Sequence, residues 1–205
     1  VTSADGSSTS VIAALGENAE KVTVNWSPNN SVVGFSATGT NPGGPFGRQQ
    51  IYLVGPDGTA IGSLTVDGMN FEAIWAPDGK NILYSVADPN DGYKAALWYA
   101  DGRGDRSGSS RRKMGIKTTT DKCTFASAET VYCGVPREMP NGGGSDSSSI
   151  SAYDDVYKLD IASGTAKLVA IPAASTRIFS PSVSDDGAYL YYTDSAGRLN
   201  VIRLK

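Results

Sequence analysis

Residues 75–85 read WAPDGKNILYS, and a related stretch, WSPNNSVVGFS, occupies residues 26–36. The shift between them is 49 residues, measured from Trp26 to Trp75. Each is followed by a variable segment, a second β-rich run and a turn, GPDG at residues 55–58 and DG at residues 101–102. Asp-Gly pairs favour tight hairpins because glycine accepts the positive φ that such turns demand. The sequence therefore predicts a repeating unit of antiparallel strands.

Two weaker copies of the unit follow. Phe125 takes the Trp position in the third copy, and Val183 takes it in the fourth. Each complete copy holds four short strands, called a to d below. Four antiparallel strands every ~50 residues are typical of the blade of a β-propeller. We therefore predict an all-β fold, a β-propeller of four four-stranded blades.

The motif at residues 75–85 resembles the WD40-like repeat of TolB-type β-propellers, in which W-S-P-D-G precedes a β-run and a later D-G turn. Residues 26–28 keep the start of that motif, but Asn29 and Asn30 stand where the family has Asp-Gly, and the third copy lacks Pro and Gly. Residues 122–157 also resemble uncharacterised envelope propellers of bacteria. The resemblance covers about residues 10–205 and implies a propeller. It implies little about function, because propellers host many unrelated roles.

The domain organisation follows from the repeats. We expect a flexible lead-in at residues 1–8 and one propeller domain at residues 9–205, with blades at about 17–66, 69–116, 118–171 and 175–205. The fourth copy lacks a d strand, whereas residues 9–15 read as one, because Leu15 and Leu64 both lie 11 residues before a Trp. Strand 9–15 would complete the last blade and leave no open edge. The alternatives are two chains that form one eight-bladed ring, or part of a longer propeller, so we expect a monomer or a homodimer.

Composition limits the chemistry. The chain has 205 residues, no histidine, a net charge of −3 and a pI near 5. The lack of histidine excludes Ser-His-Asp and Cys-His catalysis and His-ligated metals, and no P-loop, Rossmann or G-x-S-x-G motif occurs. We therefore expect no enzyme activity, no cofactor and no metal. The acidic net charge argues against nucleic-acid binding. No run reaches the roughly 18 apolar residues of a membrane span. We interpret the basic residues 111–113 as a solvated strand end.

The two cysteines, Cys123 and Cys133, lie on the predicted a and b strands of the third blade. The hairpin would place them roughly opposite one another, where cross-strand Cβ atoms are about 4.5–5.5 Å apart, so we predict a disulfide. The alternative is two buried thiols. A disulfide indicates an oxidising compartment, and we expect an extracellular or cell-envelope location.

Three long b–c loops are predicted, at residues 38–47, 87–93 and 136–153, and in a propeller they share one face. Long loops on a rigid scaffold commonly form binding sites. We predict a non-catalytic binding or scaffold module that recognises protein or glycan at the cell surface. The alternative functions are a self-assembling structural surface subunit and a carboxylate-dependent glycan-active propeller. For any one loop, such as the Gly/Ser-rich residues 141–149, the alternative is a tolerated insertion with no binding role. The candidate binding residues are Phe46, Arg48, Asp88, Asn90, Asp91, Tyr93, Arg137 and Tyr153.

Overall fold

The computed structural model describes residues 2–12, 22–37, 43–44, 47–172 and 176–204. Within these residues, 15 strands form four antiparallel sheets, and the strands of each sheet are neighbours in chain order. This confirms the predicted all-β class. The first sheet holds β1 (Val22–Val24), β2 (Gly34–Ala37), β3 (Arg48–Val54) and β4 (Ala60–Asp67), and the second holds β5 (Met69–Trp75), β6 (Asn81–Asp88), β7 (Lys94–Asp101) and β8 (Arg112–Lys113). The third holds β9 (Cys123–Ser127), β10 (Thr130–Pro136), β11 (Asp154–Asp160) and β12 (Ala166–Ala170), and the fourth holds β13 (Phe179–Val183), β14 (Tyr189–Thr193) and β15 (Leu199–Arg203).

The helical content of the described residues is confined to short 3₁₀ turns. They lie at Pro89–Asp91, Gly104–Arg106, Thr120–Lys122 and Ser147–Ser149. No helix in the described part of the chain is long and apolar enough to cross a membrane.

The repeated Pro-Asp-Gly turn joins β5 to β6 and also contacts the preceding repeat. Gly79 has φ +65°, a conformation that L side chains rarely adopt. A Cβ at this position would lie only 2.8 Å from the backbone nitrogen of Asn29, the equivalent turn of the first repeat. The Asn29 side chain donates a hydrogen bond to the Gly79 carbonyl at 2.7 Å. The turn glycine therefore serves both the hairpin and the contact between repeats.

The sheets pack face to face in series through three apolar clusters. The first cluster joins the first and second sheets and includes Phe35, Leu53 and Trp75. The second joins the second and third sheets around Leu83, Leu97 and Cys133, and a smaller one joins the third and fourth sheets. Among the described residues, none of these clusters joins the fourth sheet to the first. The cores therefore lie between successive sheets.

The predicted disulfide is present. Cys123 and Cys133 are direct partners in the β9–β10 register, and their Cα atoms lie 4.1 Å apart. Both residues are buried within the cluster that joins the second and third sheets. The crosslink therefore reinforces a hairpin whose repeat has lost the tryptophan and the Pro-Asp-Gly turn.

The predicted amino-terminal strand of the last blade is not observed among the described residues. Residues 9–12 border an apolar cavity on the first sheet, and Thr9 forms a bridge with Thr2. The sheet of β13–β15 has three strands, so a completed fourth blade is not observed among the described residues. Residues 13–15 of the predicted strand lie outside the described residues.

Candidate functional site

The loop ends of the first and second sheets enclose a small groove, here called the Trp98 groove. Three of the predicted binding residues, Arg48, Asp88 and Asn90, line it together. Its volume is about 270 Å³. The remaining lining residues are Asp67, Pro89, Trp98 and Lys113. The end of β4, the β6–β7 loop and β8 therefore converge on one spot between two sheets.

Ion pairs organise the Trp98 groove. Asp67 accepts hydrogen bonds from Arg48 Nε at 2.6 Å and from Arg111 Nη2 at 3.0 Å. Asp88 Oδ2 accepts from Lys113 Nζ at 2.7 Å. Burial alone would raise the pKa of Asp88, but the hydrogen bonds from Lys113 and from the Asn90 amide bring that pKa below its ordinary value. Asp88 therefore remains ionised and holds the Lys113 ammonium beside the tryptophan ring.

Trp98 forms the aromatic floor of this groove. The Arg111 guanidinium lies 5.2 Å and the Lys113 ammonium 5.8 Å from the ring centroid, within cation–π range. Tyr84, the partner of Trp98 on the neighbouring strand, stacks with it at a ring-centroid distance of 6.3 Å, and burial raises the Tyr84 pKa. The Trp98 Nε1–H is buried and has no hydrogen-bond partner among the described residues. Cations on an aromatic plane are an arrangement suited to binding polar, partly apolar groups.

Sequence reasoning missed half of this groove. The run Arg111–Lys113 was interpreted as a solvated strand end, but Arg111 pairs with Asp67 of the first sheet. Arg112 donates hydrogen bonds to the Ile161 and Ala162 carbonyls in the turn between β11 and β12. The signal in the sequence is alternation: in an extended segment residues 111 and 113 point to one side and residue 112 to the other.

The remaining predicted residues lie along the same loop face but outside the groove. Asp91 forms an ion pair with Lys117, and Tyr93 has φ +56°. Arg137 donates to Asp155 through Nε at 3.0 Å and Nη2 at 2.7 Å, and Tyr153 is exposed beside it. Phe46 lies outside the described residues. The predicted set is therefore divided between the groove and the base of the third long loop.

The third long loop, residues 137–153, is docked on the second sheet. Met139 and Ile150 form a small buried cluster with Ala95 of β7. The Gly142 amide donates to the Gly92 carbonyl at 2.8 Å, and the Gly144 amide donates to the Tyr93 carbonyl at 2.9 Å. The Gly/Ser-rich stretch is therefore part of a packed surface, and the interpretation of this loop as a mere insertion does not describe it.

A second, polar pocket of about 160 Å³ lies beneath that loop. Glu72 of β5 lines it together with Ser85 and Thr119. Burial raises the pKa of Glu72, and the negative charge of Asp121 raises it further. The Thr119 hydroxyl is buried and has no hydrogen-bond partner among the described residues. Within the described residues, no group of three or more potential ligands is arranged to hold a metal ion.

A buried ion pair lies between the third and fourth sheets. Lys122 Nζ is 2.5 Å from Asp154 Oδ2, and the side chains are 2% and 0% exposed. The same carboxylate oxygen accepts the Ile178 amide at 2.7 Å, whereas Asp154 Oδ1 has no hydrogen-bond partner among the described residues. Burial raises the pKa of Asp154 despite these two contacts. This pair ties the start of β9 to the start of β11 and to the segment before β13.

Comparison with known proteins identifies the fold. No protein-family model and no curated protein matches the chain. The chain is similar to TolB from Acinetobacter baumannii, with 15% identity and a TM-score of 0.55, over 100% of this chain and 48% of that one. A TolB-assigned protein from Agrobacterium tumefaciens gives 16% identity and a TM-score of 0.51, over 87% and 56% of the two chains. The fold is a TolB-like β-propeller. The chain spans about half the length of the TolB structures that it matches.

The TolB-like fold also occurs in an enzyme. The chain is similar to a puromycin-hydrolyzing peptidase from Mycobacterium tuberculosis, with 13% identity and a TM-score of 0.54, over 88% of this chain and 28% of that one. This neighbour contradicts the prediction that the chain is not an enzyme. The lack of histidine and of motifs excluded particular chemistries, whereas propellers bring acids from separate sheets together near the axis. At this identity the likeness is one of fold alone.

Proposed function

We propose that this chain is a protein-binding β-propeller module of the cell envelope, and that its loop face holds a polypeptide segment of the partner in the Trp98 groove. The observation that carries the proposal is the set of paired charges around Trp98. Tryptophan and arginine are the residues most enriched where protein partners gain binding energy. Arg48, Lys113 and Asp88 offer complementary contacts to the charged side chains and backbone of a peptide.

Two further observations support this function. The docked loop at residues 137–153 gives the loop face a packed surface, so a partner would not have to order it on binding. The disulfide favours an oxidising compartment, and the TolB-like fold accords with an envelope protein. The finer assignment of the repeat to the WD40-like family, and the recognition of glycan in place of protein, rest on the sequence resemblance and on loop composition.

A peptide selection tests the proposal with a defined probe. Random peptides displayed on phage are selected on the immobilised chain, and the enriched peptides are then measured by fluorescence polarisation. We expect Arg48→Ala and Lys113→Ala each to weaken binding about tenfold, the equivalent of one ordinary charged contact. Arg106→Ala is the matched control, because Arg106 lies in the β7–β8 turn, at the opposite end of the sheet. Equal binding to wild type and to both groove variants would overturn the proposal.

A further inference from the structure

Among the described residues, the first and the fourth sheet each have one apolar surface that no other sheet covers. On the first sheet, the surface turned away from the second sheet is here called the front face. It consists of Val22, Val24, Trp26, Tyr52 and Val54, which line an apolar cavity of about 830 Å³. On the fourth sheet, the surface turned away from the third sheet is here called the back face. It consists of Tyr189, Tyr191, Leu199 and Val201.

The internal repeats indicate what a covered front face looks like. Trp75 is the equivalent of Trp26 and is only 8% exposed, whereas Trp26 is 42% exposed. The Trp75 ring stacks on Phe35 of the preceding sheet at 5.6 Å, and its Nε1–H donates to the Asn25 carbonyl at 3.1 Å. Trp26 therefore has the position of an interface residue, but among the described residues no sheet packs against it from the front.

The back face gives the same comparison at the other end of the series. Leu97 pairs with Ser85, ten residues after Trp75, and Leu199 pairs with Thr193, ten residues after Val183. The two leucines are thus equivalent in the repeat. Leu97 is fully buried against the next sheet, whereas Leu199 is 73% exposed. The front and back faces are accordingly the two unpaired halves of an interface that the chain already forms three times.

We propose that the front face of one chain binds the back face of a second copy of the same chain. Each chain offers one face of each kind, so two chains related by a twofold axis satisfy all four faces at once. The eight sheets of such a pair lie within the range of closed propellers, which have about 4–8 blades. The described amino-terminal segment does not supply the missing cover, because it borders the cavity while Val24 remains 80% exposed.

The area reaches the lower limit for a specific interface. Strands lie about 4.8 Å apart and rise about 3.3 Å per residue, so the footprint is about 300 Å² for a four-stranded face and about 240 Å² for a three-stranded one. A twofold pair covers the front and back faces of both chains, and their summed footprint is about 1,100 Å². Specific interfaces begin at about 1,000 Å² of buried surface. The buried surface exceeds this flat footprint because side chains project from both faces.

Complementation between two variants tests the proposal. Trp26→Asp places a charge on the front face, and Leu199→Asp places one on the back face. Sedimentation velocity from low to high micromolar concentration should show a dimer for wild type and a monomer for each variant alone. An equimolar mixture should associate more strongly than either variant alone but more weakly than wild type, because one of its two interfaces joins an unmutated back face to an unmutated front face.

The controls make the result decisive. Tyr153→Asp puts the same charge on an exposed aromatic of the loop face and should leave the wild-type dimer unchanged. Recovery in the mixture shows that both variants are folded, and association should weaken about tenfold or more in each alone. A monomeric wild type at every concentration, wild-type affinity in either variant alone, or a mixture that associates no more strongly than the separate variants would each overturn the proposal. Capture of peptides by the Trp98 groove is measured separately, so the two proposals fail independently.

Discussion

Replacing Lys122 by methionine should destabilise the protein strongly, because it leaves the Asp154 carboxylate buried without a counter-charge. Both side chains are almost fully buried, and Asp154 Oδ1 already has no hydrogen-bond partner among the described residues. After Lys122→Met the Ile178 amide is the remaining donor to the carboxylate. Breaking one partner of a buried pair costs about 3–5 kcal/mol. At about 2–4 °C per kcal/mol for a protein of this size, Tm should fall by roughly 6–20 °C.

The same substitution at an exposed pair provides the control. Lys117 pairs with Asp91, and the two side chains are 47% and 39% exposed. Exposed pairs contribute about 0–1 kcal/mol. Urea denaturation of Lys117→Met and Lys122→Met at neutral pH should therefore give a small and a large loss in the free energy of unfolding. Equal losses in the two variants would refute the reasoning.

Acidity separates the charge effect from lost packing. Burial already raises the pKa of Asp154, and removal of the Lys122 ammonium should raise it further. Below that raised pKa the carboxyl is neutral, so the buried charge and its cost disappear. The deficit of Lys122→Met relative to wild type should therefore shrink from neutral to mildly acidic pH. A deficit that does not change with pH would mean that methionine fails for reasons of shape.

Three further predictions concern stability. Cys123→Ala with Cys133→Ala should lower the free energy of unfolding in urea by about 3 kcal/mol, the loop-closure value for a crosslink of this length, and an unchanged midpoint would contradict it. Glu72→Gln should stabilise the protein more at neutral pH than in acid. The folded-state pKa of Glu72 is raised, so its ionisation costs stability once the pH exceeds the ordinary glutamate pKa. A gain in Tm that does not depend on pH would count against this. The folded-state pKa of Asp88 is lowered, so its contribution to stability is present above the ordinary carboxyl pKa and is lost as the pH falls through the lowered pKa. The stability of Asp88→Asn should therefore fall less steeply than that of wild type in an acid titration. Parallel curves for the two proteins would be the adverse result.

The repeat was predictable from sequence because its signals are local. A Pro-Asp-Gly turn and alternating apolar runs act over about ten residues, and the cysteine pair followed from the same hairpin register. Ring closure was not predictable, because it depends on which sheet the amino-terminal segment contacts. Residues 9–12 resemble a d strand in composition but border the front face of the first sheet.

The candidate site was predictable only on its loop side. Arg48, Asp88 and Asn90 were selected because they belong to long loops, and the structure places them in one groove. Trp98 and Lys113 lie on strands, where composition alone does not separate a core residue from a ligand contact. Their role depends on the packing of the first sheet against the second, and that packing has no signature within a single repeat.

The docked loop at residues 137–153 has a consequence for protein engineering. Its NGGGSDSSS run looks like a flexible linker and would be an obvious place to insert an affinity tag or a reporter domain. A Cβ at Gly144, however, would lie 2.8 Å from both the Ala87 Cα and the Ala95 nitrogen, so the chain passes close to another backbone there. The turn at residues 195–197 is a better insertion site, because it is exposed and a Cβ at Gly197 meets nothing within 4 Å.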